Sequence, residues 1–264
     1  MDALSKIKEK IARDEIVLGS HITLNESCIA EIMGDVGFDF VWIDCEHSPI
    51  DYKETLQHIM AARSSGTAAF VRVPWNDPVL AKPILEMGVQ GVIFPFVNTA
   101  EQAEQAVKSC LYPPKGIRGY NPRRAENYGL MDKMEYIEKS GDMVWKIIQI
   151  EHIEAVRNLD EILKVEGIDA IVVGPSDLSG SIGLMGQTAH PEVKKLLDEI
   201  SEKVVKAGIP LGVSTGFEPP EVINDWLRRG VNWIGVGVDV GYMVRGSQSI
   251  LKNTRELIAQ GGRK

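Results

Sequence analysis

Short apolar runs alternate with longer amphipathic stretches along the whole of the 264-residue chain. The runs are rich in Val, Ile and Phe, and most are too short and too uniformly apolar to be strands with one face in water. Such runs are typical of strands buried in a parallel sheet. The eight predicted strands comprise residues 16–22, 38–44, 68–73, 92–97, 144–150, 170–174, 211–214 and 233–239.

The stretches between these runs predict helices with recognisable ends. Asp77 is a good N-cap for one of them, and several end at a glycine just before the next apolar run, as at Gly88, Gly208 and Gly230. This order is expected of helix-to-strand connections in a parallel sheet. The clearest helices comprise residues 51–62, 78–87, 99–110, 191–207 and 218–229.

Eight strands separated by helical segments predict an α/β protein with a closed (β/α)8 TIM barrel rather than an open doubly wound sheet. The dinucleotide-binding fingerprint of open sheets is missing after the first run, where Gly19-Ser20-His21 offers a single glycine. A barrel of about 250 residues forms one unit, so we expect one domain over residues 1–264.

Residues 111–129 interrupt the alternation, because they carry three prolines and three glycines and are too long for a simple turn. Loops of this length in compact domains are usually functional or disordered. The segment either follows the fourth helix or forms part of the top of the barrel.

Composition narrows the functional classes. The 44% hydrophobic and 25% charged content is ordinary, and the formal net charge of −8 argues against nucleic acid as a partner. The three cysteines have no CxxC spacing, which disfavours a disulfide framework or a structural zinc site. We find neither a signal peptide nor a run of about 20 apolar residues, so we expect a cytoplasmic protein without membrane association.

Polar side chains gather where the predicted strands end, which is where TIM barrels place their catalytic groups. Asp44 and His47 follow the second strand, Arg72 lies in the third, and Glu151 and Asp177 follow the fifth and sixth. Because the fifth and sixth strands are neighbours, the carboxylates of Glu151 and Asp177 can converge on an ion such as Mg²⁺ or Mn²⁺. The alternative is that each acid caps the helix that follows it.

Each of the other groups has a functional and a structural interpretation. Held beside carboxylates, His47 can serve as a general base, or it can be an ordinary hydrogen-bonding loop residue. Arg72 lies within an apolar strand, so its charge needs an anion, either a substrate carboxylate or enolate or a structural salt-bridge partner. Residues 174–179 place free N–H groups at a strand-to-helix junction, as in an anion site or an ordinary turn.

A Schiff-base lysine would be a different way to activate a ketone. Side chains alternate along residues 146–151, so Gln149 and Glu151 share one face of the strand while Lys146 belongs to the other. We find no other lysine in a predicted central strand. The pattern therefore favours a metal-dependent route.

Seven motifs occur in order along almost the whole chain: Gly37-Phe38-Asp39; Ile43-Asp44-x-Glu46-His47; Val71-Arg72 with Trp75-Asn76-Asp77-Pro78; Tyr112-Pro113-Pro114-x-Gly116-Ile117-Arg118-Gly119; Gln149-Ile150-Glu151; Gly174-Pro175-Ser176-Asp177-Leu178-Ser179; and Val236-Gly237-Val238-Asp239. Together they resemble the HpcH/HpaI aldolase family, the class II pyruvate aldolases that include hydroxy-oxo-heptanedioate and dehydro-deoxy-glucarate aldolases. No single motif is specific, but the set is.

The resemblance implies a phosphoenolpyruvate/pyruvate-type barrel that cleaves or forms 4-hydroxy-2-oxo acids, with pyruvate and an aldehyde as partners and a pyruvate enolate between them. One divalent ion per subunit (Mg²⁺, Mn²⁺ or Co²⁺) would be bound by Glu151 and Asp177. Catalytic roles would fall to His47 as base and Arg72 as enolate stabiliser, together with Asp44 and Glu86. Pyruvate would be held by Gln149, Gly174, Ser176 and Asp177.

Further expectations come from the same resemblance. Family members carry an acid in the third barrel helix that supports the histidine, and the matching position here is Glu86. Cys45 stands where a glycine is often found, and we expect it to be inert. The family forms hexamers whose carboxyl-terminal helix packs on a neighbour, a role suited to residues 243–260 and implying a homohexamer.

Other functions fit the same residues. Citrate-synthase-like condensation or oxaloacetate decarboxylation would use the same enolate, a non-catalytic barrel would use none of it, and a metal hydrolase would release a hydrolysed product. Arg123 and Arg124 in the long loop either recognise an anionic second substrate or form surface or subunit salt bridges. We hypothesise that one of them helps to select the aldehyde.

Overall fold

Eight parallel strands close into a barrel in the order in which they occur along the chain, and the last strand pairs with the first. This confirms the predicted (β/α)8 fold. The computed structural model describes residues 2–260, so residues 1 and 261–264 of the predicted domain lie outside the described residues. The strands are Val17–Ile22 (β1), Phe40–Asp44 (β2), Ala68–Arg72 (β3), Gly91–Phe94 (β4), Trp145–Ile150 (β5), Ala170–Val173 (β6), Leu211–Thr215 (β7) and Trp233–Val238 (β8).

Helices surround the barrel, and their starts follow the predicted capping signals. Asp51 and Glu54 form a capping box, and the side chains of Asp77 and Thr99 accept from backbone N–H groups of the following turn. No helix within residues 2–260 is both long and apolar enough to cross a bilayer. The helices are Ala3–Ala12 (α1), Cys28–Val36 (α2), Tyr52–Ser64 (α3), Pro78–Glu86 (α4), Ala100–Cys110 (α5), Lys133–Lys139 (α6), Ile153–Arg157 (α7), Leu159–Ile162 (α8), Pro175–Ser181 (α9), Pro191–Lys206 (α10), Pro220–Arg228 (α11) and Asp239–Gln260 (α12).

The fourth strand is shorter than predicted, because Pro95 lacks the N–H that a strand ladder needs and Phe96 leaves the extended conformation. The apolar run over 92–97 predicts an extended chain, whereas β4 ends at Phe94 and Phe96 adopts a positive φ of 52°. A left-handed residue cannot continue a strand. It instead directs the backbone N–H of Phe96 at Glu151, 2.7 Å from Oε1.

Aromatic side chains fill the half of the barrel near the amino-terminal ends of the strands. Phe40 and Phe70 are stacked with ring centroids 4.9 Å apart, Trp145 stacks on Phe70 at 5.7 Å, and Trp233 meets both phenylalanines edge-on. Glycine at position 19 makes room, since a Cβ there would lie 2.3 Å from the Phe40 ring. Helix α1, which the sequence pattern did not predict, adds apolar side chains to the same cluster. The lumen is therefore open only at the carboxyl ends of the strands.

The long loop after α5 lies at the other end of the barrel. Arg118 of this loop is bonded to Glu86, and Arg124 donates to the carbonyl oxygen of Met87. Both partners stand at the end of α4, and helices run antiparallel to the strands, so this end is the amino-terminal rim. The loop therefore follows the fourth barrel helix, and the alternative position at the top of the barrel is wrong.

Candidate active site

An ion pair between two neighbouring strands anchors the site. Asp44 and Arg72 are partners in the register of β2 and β3. Nε of Arg72 lies 3.1 Å from Oδ1 of Asp44, and Nη2 lies 2.6 Å from Oδ2. Glu46 adds a third contact, with Oε2 3.1 Å from Nη1 of Arg72. The arginine is thereby held in one orientation by two carboxylates.

Both members of this pair stay ionised despite their burial. Burial acts to raise the pKa of Asp44, but hydrogen bonds and the charge of Arg72 lower the pKa overall. Burial acts in the opposite sense on Arg72, and the bonded Asp44 raises the arginine pKa overall. The guanidinium of Arg72 is therefore permanently charged and fixed in position at the mouth of the barrel, with its charge balanced by the neighbouring carboxylates.

Glu151 is the central carboxylate of the site and is only 1% exposed. Its Oε1 accepts from the backbone of Phe96 at 2.7 Å, and its Oε2 accepts from Nε2 of Gln149. Gly174 provides the space, because a Cβ at that position would lie 2.7 Å from both Cβ and Oε2 of Glu151. The carboxylate is thus oriented by one backbone group, one amide and one glycine.

The site has an excess of buried negative charge. Burial, with the nearby charges of Glu46 and Asp177, raises the pKa of Glu151 to about 7, although the Phe96 N–H and Arg72 act to lower it. Burial likewise raises the pKa of Glu46. Three carboxylates that repel one another in a low-dielectric site are the environment that a divalent cation relieves.

The donor set is suited to a hard divalent ion. Within residues 2–260 no three His, Cys, Asp or Glu side chains are arranged as a complete metal site. Mg²⁺ binds through one or two carboxylates and completes its shell with water and substrate oxygens. Glu151 and Asp177 fit that pattern, and the buried Oε1 of Gln149 has no partner among the described residues, which leaves an acceptor for a ligand.

The strand-to-helix junction after β6 supplies backbone donors beside this cluster. Gly174 is the N-cap of α9, and Ser176 and Asp177 occupy its first turn. Their backbone N–H groups make no hydrogen bonds to other described residues. First-turn N–H groups are favourable positions for a carboxylate.

His47 lies at the mouth of the site. Its side chain is 63% exposed, and its Nε2 is 3.7 Å from Oε2 of Glu46. Its backbone N–H donates to Oδ1 of Asp44 at 3.3 Å. The structure therefore brings His47 together with Asp44, Arg72 and Glu46, although sequence reasoning had not placed Glu46 among the site residues.

Glu86 lies elsewhere. Its Oε1 accepts from Nε and Nη2 of Arg118, at 3.2 and 3.0 Å. It is the last residue of α4, so it stands at the amino-terminal rim, whereas His47 stands at the opposite rim. Within a single chain Glu86 therefore does not contact His47, and its support of the histidine stays a prediction.

The two loop arginines are equally remote from this rim. Arg124 is 8% exposed and bonded to the end of α4, and Arg123 is its exposed neighbour. Within one chain neither can contact an aldehyde at the carboxyl-terminal rim. Selection of the aldehyde by these residues stays a prediction.

Lys146 is absent from the site, as the alternation along β5 predicts. Its Nζ is 2.6 Å from Oδ2 of Asp169 and 2.9 Å from the carbonyl oxygen of Gly141. Asp169 directly precedes β6, so these partners belong to the amino-terminal rim. Lys146 is therefore not placed to form a Schiff base at the carboxyl-terminal rim.

Sequence reasoning missed His21. Its Nε2 is 2.8 Å from Oγ of Ser214, and its ring centroid is 4.6 Å from that of Trp42. The inward positions nearest the carboxyl ends of β1, β3, β5 and β7 are occupied by His21, Arg72, Gln149 and Ser214, respectively. These four side chains form one polar layer beneath the carboxylates. The available signal was a histidine at an inward position of an otherwise apolar run.

Comparisons with known proteins identify the family of the chain. The sequence model of the HpcH/HpaI aldolase/citrate lyase family matches residues 18–245. The 5-keto-4-deoxy-D-glucarate aldolase from Escherichia coli is 35% identical over 247 residues, which are 93% of this chain and 95% of that enzyme.

Solved structures give the same result. An HpcH/HpaI aldolase/citrate lyase family protein from Burkholderia cenocepacia superposes with a TM-score of 0.88 at 28% identity, over 95% of this chain and 99% of the other. Citrate synthase SbnG superposes with a TM-score of 0.82 at 29% identity, over 94% and 97% of the two chains. The fold, the family match and the relatives agree over nearly the whole sequence. The chain belongs to the HpcH/HpaI aldolase/citrate lyase family and is an enzyme of the lyase class.

Proposed function

We propose that the enzyme cleaves and forms 4-hydroxy-2-oxo acids by a divalent-metal-dependent aldol reaction. Pyruvate and an aldehyde are the products of cleavage and the substrates of condensation. The observation that carries the proposal is the fixed, buried guanidinium of Arg72 beside the carboxylates of Glu46 and Glu151. In such a site the arginine places positive charge where an enolate would develop, and the neighbouring carboxylates are available to bind a metal ion. The similarity to 5-keto-4-deoxy-D-glucarate aldolase supports the same reaction.

One group of residues binds the half of the substrate that becomes pyruvate, and another acts on the half that becomes the aldehyde. The free N–H groups of Ser176 and Asp177 receive the carboxylate of the 2-oxo acid. Glu151 and Asp177 would hold Mg²⁺, Mn²⁺ or Co²⁺, and a bound ion would lower the energy of negative charge on the ketone oxygen. Arg72 adds a second positive group on that oxygen.

Proton transfer falls to the exposed end of the site. In cleavage, His47 removes the proton of the 4-hydroxyl, the C3–C4 bond breaks, and its electron pair passes to the ketone as an enolate while the aldehyde leaves. Protonation of C3 then gives pyruvate. Glu46, 3.7 Å from His47, stabilises the protonated histidine between the two steps.

A second candidate reaction is citrate-synthase-like condensation, which the similarity to citrate synthase SbnG favours. It would use the same enolate with a different acceptor. The two candidates differ only in the molecule that meets His47 at the mouth, so a panel of acceptors distinguishes them.

Pyruvate release from a panel of 4-hydroxy-2-oxo acids tests the proposal. Chelator-stripped enzyme should be inactive, and Mg²⁺, Mn²⁺ or Co²⁺ should restore release. Glu151→Gln and Asp177→Asn should abolish metal-restored release without loss of the fold, while Glu104→Gln, an exposed matched control, should be unaffected. Full activity in Glu151→Gln, or metal-independent release, would contradict it.

We further propose that α12 packs on a second copy of the chain in a homo-oligomer, a homohexamer as the family resemblance implies. Every residue over 243–260 is exposed in the single chain. Apolar side chains recur along this stretch, at Met243, Val244, Ile250, Leu251, Leu257 and Ile258.

Light scattering with size-exclusion chromatography tests this assembly. The double variant Leu251→Glu, Ile258→Glu should dissociate the oligomer, because it places charge in the proposed interface. Gln248→Glu, in the same helix, is the control for added charge. A wild-type monomer would contradict the proposal.

A further inference from the structure

Among the largely buried arginines of the described residues, Arg72, Arg118 and Arg124 differ in their partners. Arg72 is paired with Asp44 at 2.6 Å, and Arg118 is paired with Glu86 at 3.0 Å. Arg124, 8% exposed, has no carboxylate partner among residues 2–260, and its Nη1 donates only to the carbonyl oxygen of Met87.

The surroundings of Arg124 add positive charge rather than remove it. Burial and the nearby charge of Arg63 both lower the pKa of the Arg124 guanidinium. A buried guanidinium is unfavourable unless an anion accompanies it. The first two arginines obey this rule with protein carboxylates, so Arg124 requires an anion that the chain itself does not supply.

A cavity of about 710 Å³ lies against Arg124 at the amino-terminal rim, between α1, the end of α4, the long loop and α6. This volume is within the range of small-molecule sites, about 300–1,000 Å³. Five cationic side chains and two acidic ones line it; the cations are Lys6, Lys8, Arg63, Arg124 and Lys139.

Several of these charges are already engaged. Lys139 is paired with Glu135 at 2.8 Å. Of the acids, Asp2 is occupied with the N-terminus of α1, where it accepts from the backbone N–H and the hydroxyl of Ser5. Arg63 and Arg124 form no ion pair with any described residue, so the cavity retains a positive field.

We propose that this cavity binds a small organic polyanion that carries phosphate or carboxylate groups, with Arg124 as its central contact and Arg63 beside it. A guanidinium matches the geometry of either anion with paired hydrogen bonds. Within one chain the aromatic lumen separates the cavity from the carboxyl-terminal rim, so the ligand binds apart from the active site of that chain. This inference does not depend on the aldolase reaction.

Calorimetric titration of the intact enzyme tests the site with inorganic phosphate, pyrophosphate and citrate, at constant ionic strength in chloride. Saturable binding of one anion per chain is expected. Tighter binding of pyrophosphate would identify phosphate esters as the ligand class, and tighter binding of citrate would identify polycarboxylates.

Variants locate the binding. Arg124→Gln should abolish it, and Arg63→Gln should weaken it about tenfold, the effect of one charge-assisted hydrogen bond. Arg63 is exposed, so its variant remains informative if Arg124→Gln does not fold. Lys195→Gln, an exposed lysine of α10, is the matched control and should bind as the wild type does.

Two results would overturn the proposal. One is the absence of saturable binding by any of the three anions, as expected if a second copy supplies the carboxylate. The other is undiminished binding in Arg63→Gln, which would place the anion elsewhere, including the active site.

Discussion

Arg72 donates two hydrogen bonds to Asp44 across the β2–β3 ladder, from Nε at 3.1 Å and from Nη2 at 2.6 Å. Since the third nitrogen faces Glu46, every nitrogen of the guanidinium is directed by a carboxylate. Arg72 therefore cannot change rotamer without breaking buried contacts. Its position is fixed before any substrate binds, as electrostatic stabilisation of an enolate requires.

Replacement of Asp44 should be expensive for stability as well as for activity. In Asp44→Asn the buried guanidinium loses a full negative charge, and we expect a loss of about 3 kcal/mol in the free energy of unfolding. Urea titration measures this. Glu161→Gln is the matched control, because it removes the charge of an exposed ion pair and should cost at most about 1 kcal/mol. Equal losses of unfolding free energy in the two variants would show that the buried pair contributes no more to stability than an exposed pair.

A methyl group at position 174 should inactivate the enzyme without unfolding it. The new Cβ would lie 2.7 Å from Cβ and Oε2 of Glu151 and 3.2 Å from Nε2 of Gln149, so these side chains must move. We expect kcat for pyruvate release to fall by about 100-fold or more. Gly216→Ala is the control at the same rim, since a Cβ there meets nothing within 4 Å. Wild-type turnover in Gly174→Ala would refute the assigned position of Glu151.

His21 should make the protein less stable in acid. Burial, with the charge of Arg72, lowers the pKa of His21 from 6.5 to about 4. Between these values the unfolded chain binds more protons than the native chain, so stability rises with pH and is lost as pH falls from 6.5 towards 4.

The difference between wild type and His21→Gln isolates this contribution. The amide can still bond to Ser214 but cannot be protonated, so the variant should lose less stability between pH 7 and pH 4.5. The full effect is at most about 3 kcal/mol. Identical pH dependence in the two proteins, followed by urea midpoints, would show that His21 is not buried in its neutral form.

Only one thiol should react readily in the native enzyme. Cys28 is exposed, whereas burial raises the pKa of Cys45 to about 11 and that of Cys110 to about 12. At pH 8 a thiol with a pKa near 11 is a thiolate about one time in a thousand. A disulfide reagent that releases a coloured product should react rapidly with one thiol of the native wild-type protein and with none of the native Cys28→Ser variant. In urea it should react with all three thiols of the wild type. Rapid modification of Cys45 would contradict its assignment as an inert residue.

The strands and the polar rim were predictable because both depend on local pattern. Burial on both faces requires continuous apolar runs, and the position of Glu151 or Asp177 at a strand end follows from where such a run stops. The end of β4 at Phe94 could have been predicted from Pro95, which cannot donate to a strand ladder. The left-handed conformation of Phe96 could not, because nothing in the run marks it. Helix α1 was missed because charged and apolar residues alternate along it.

Long-range contacts could not be predicted from the sequence, for a different reason. His21 and Ser214 are 193 residues apart and meet only because the barrel closes. Glu86 is the opposite case, since the predicted topology already placed the end of its helix at the amino-terminal rim, away from the His47 of the same chain.

The aromatic core of the barrel has a kinetic consequence. Because Phe40, Phe70, Trp145 and Trp233 block passage through the lumen, both products of cleavage leave by the same mouth. In the proposed reaction, the aldehyde is formed beside the exposed His47, while pyruvate is held deeper, next to Arg72 and Gln149. Release must then be sequential, with aldehyde first and pyruvate last. In steady-state inhibition experiments pyruvate should compete with the 2-oxo acid substrate, and the aldehyde should not.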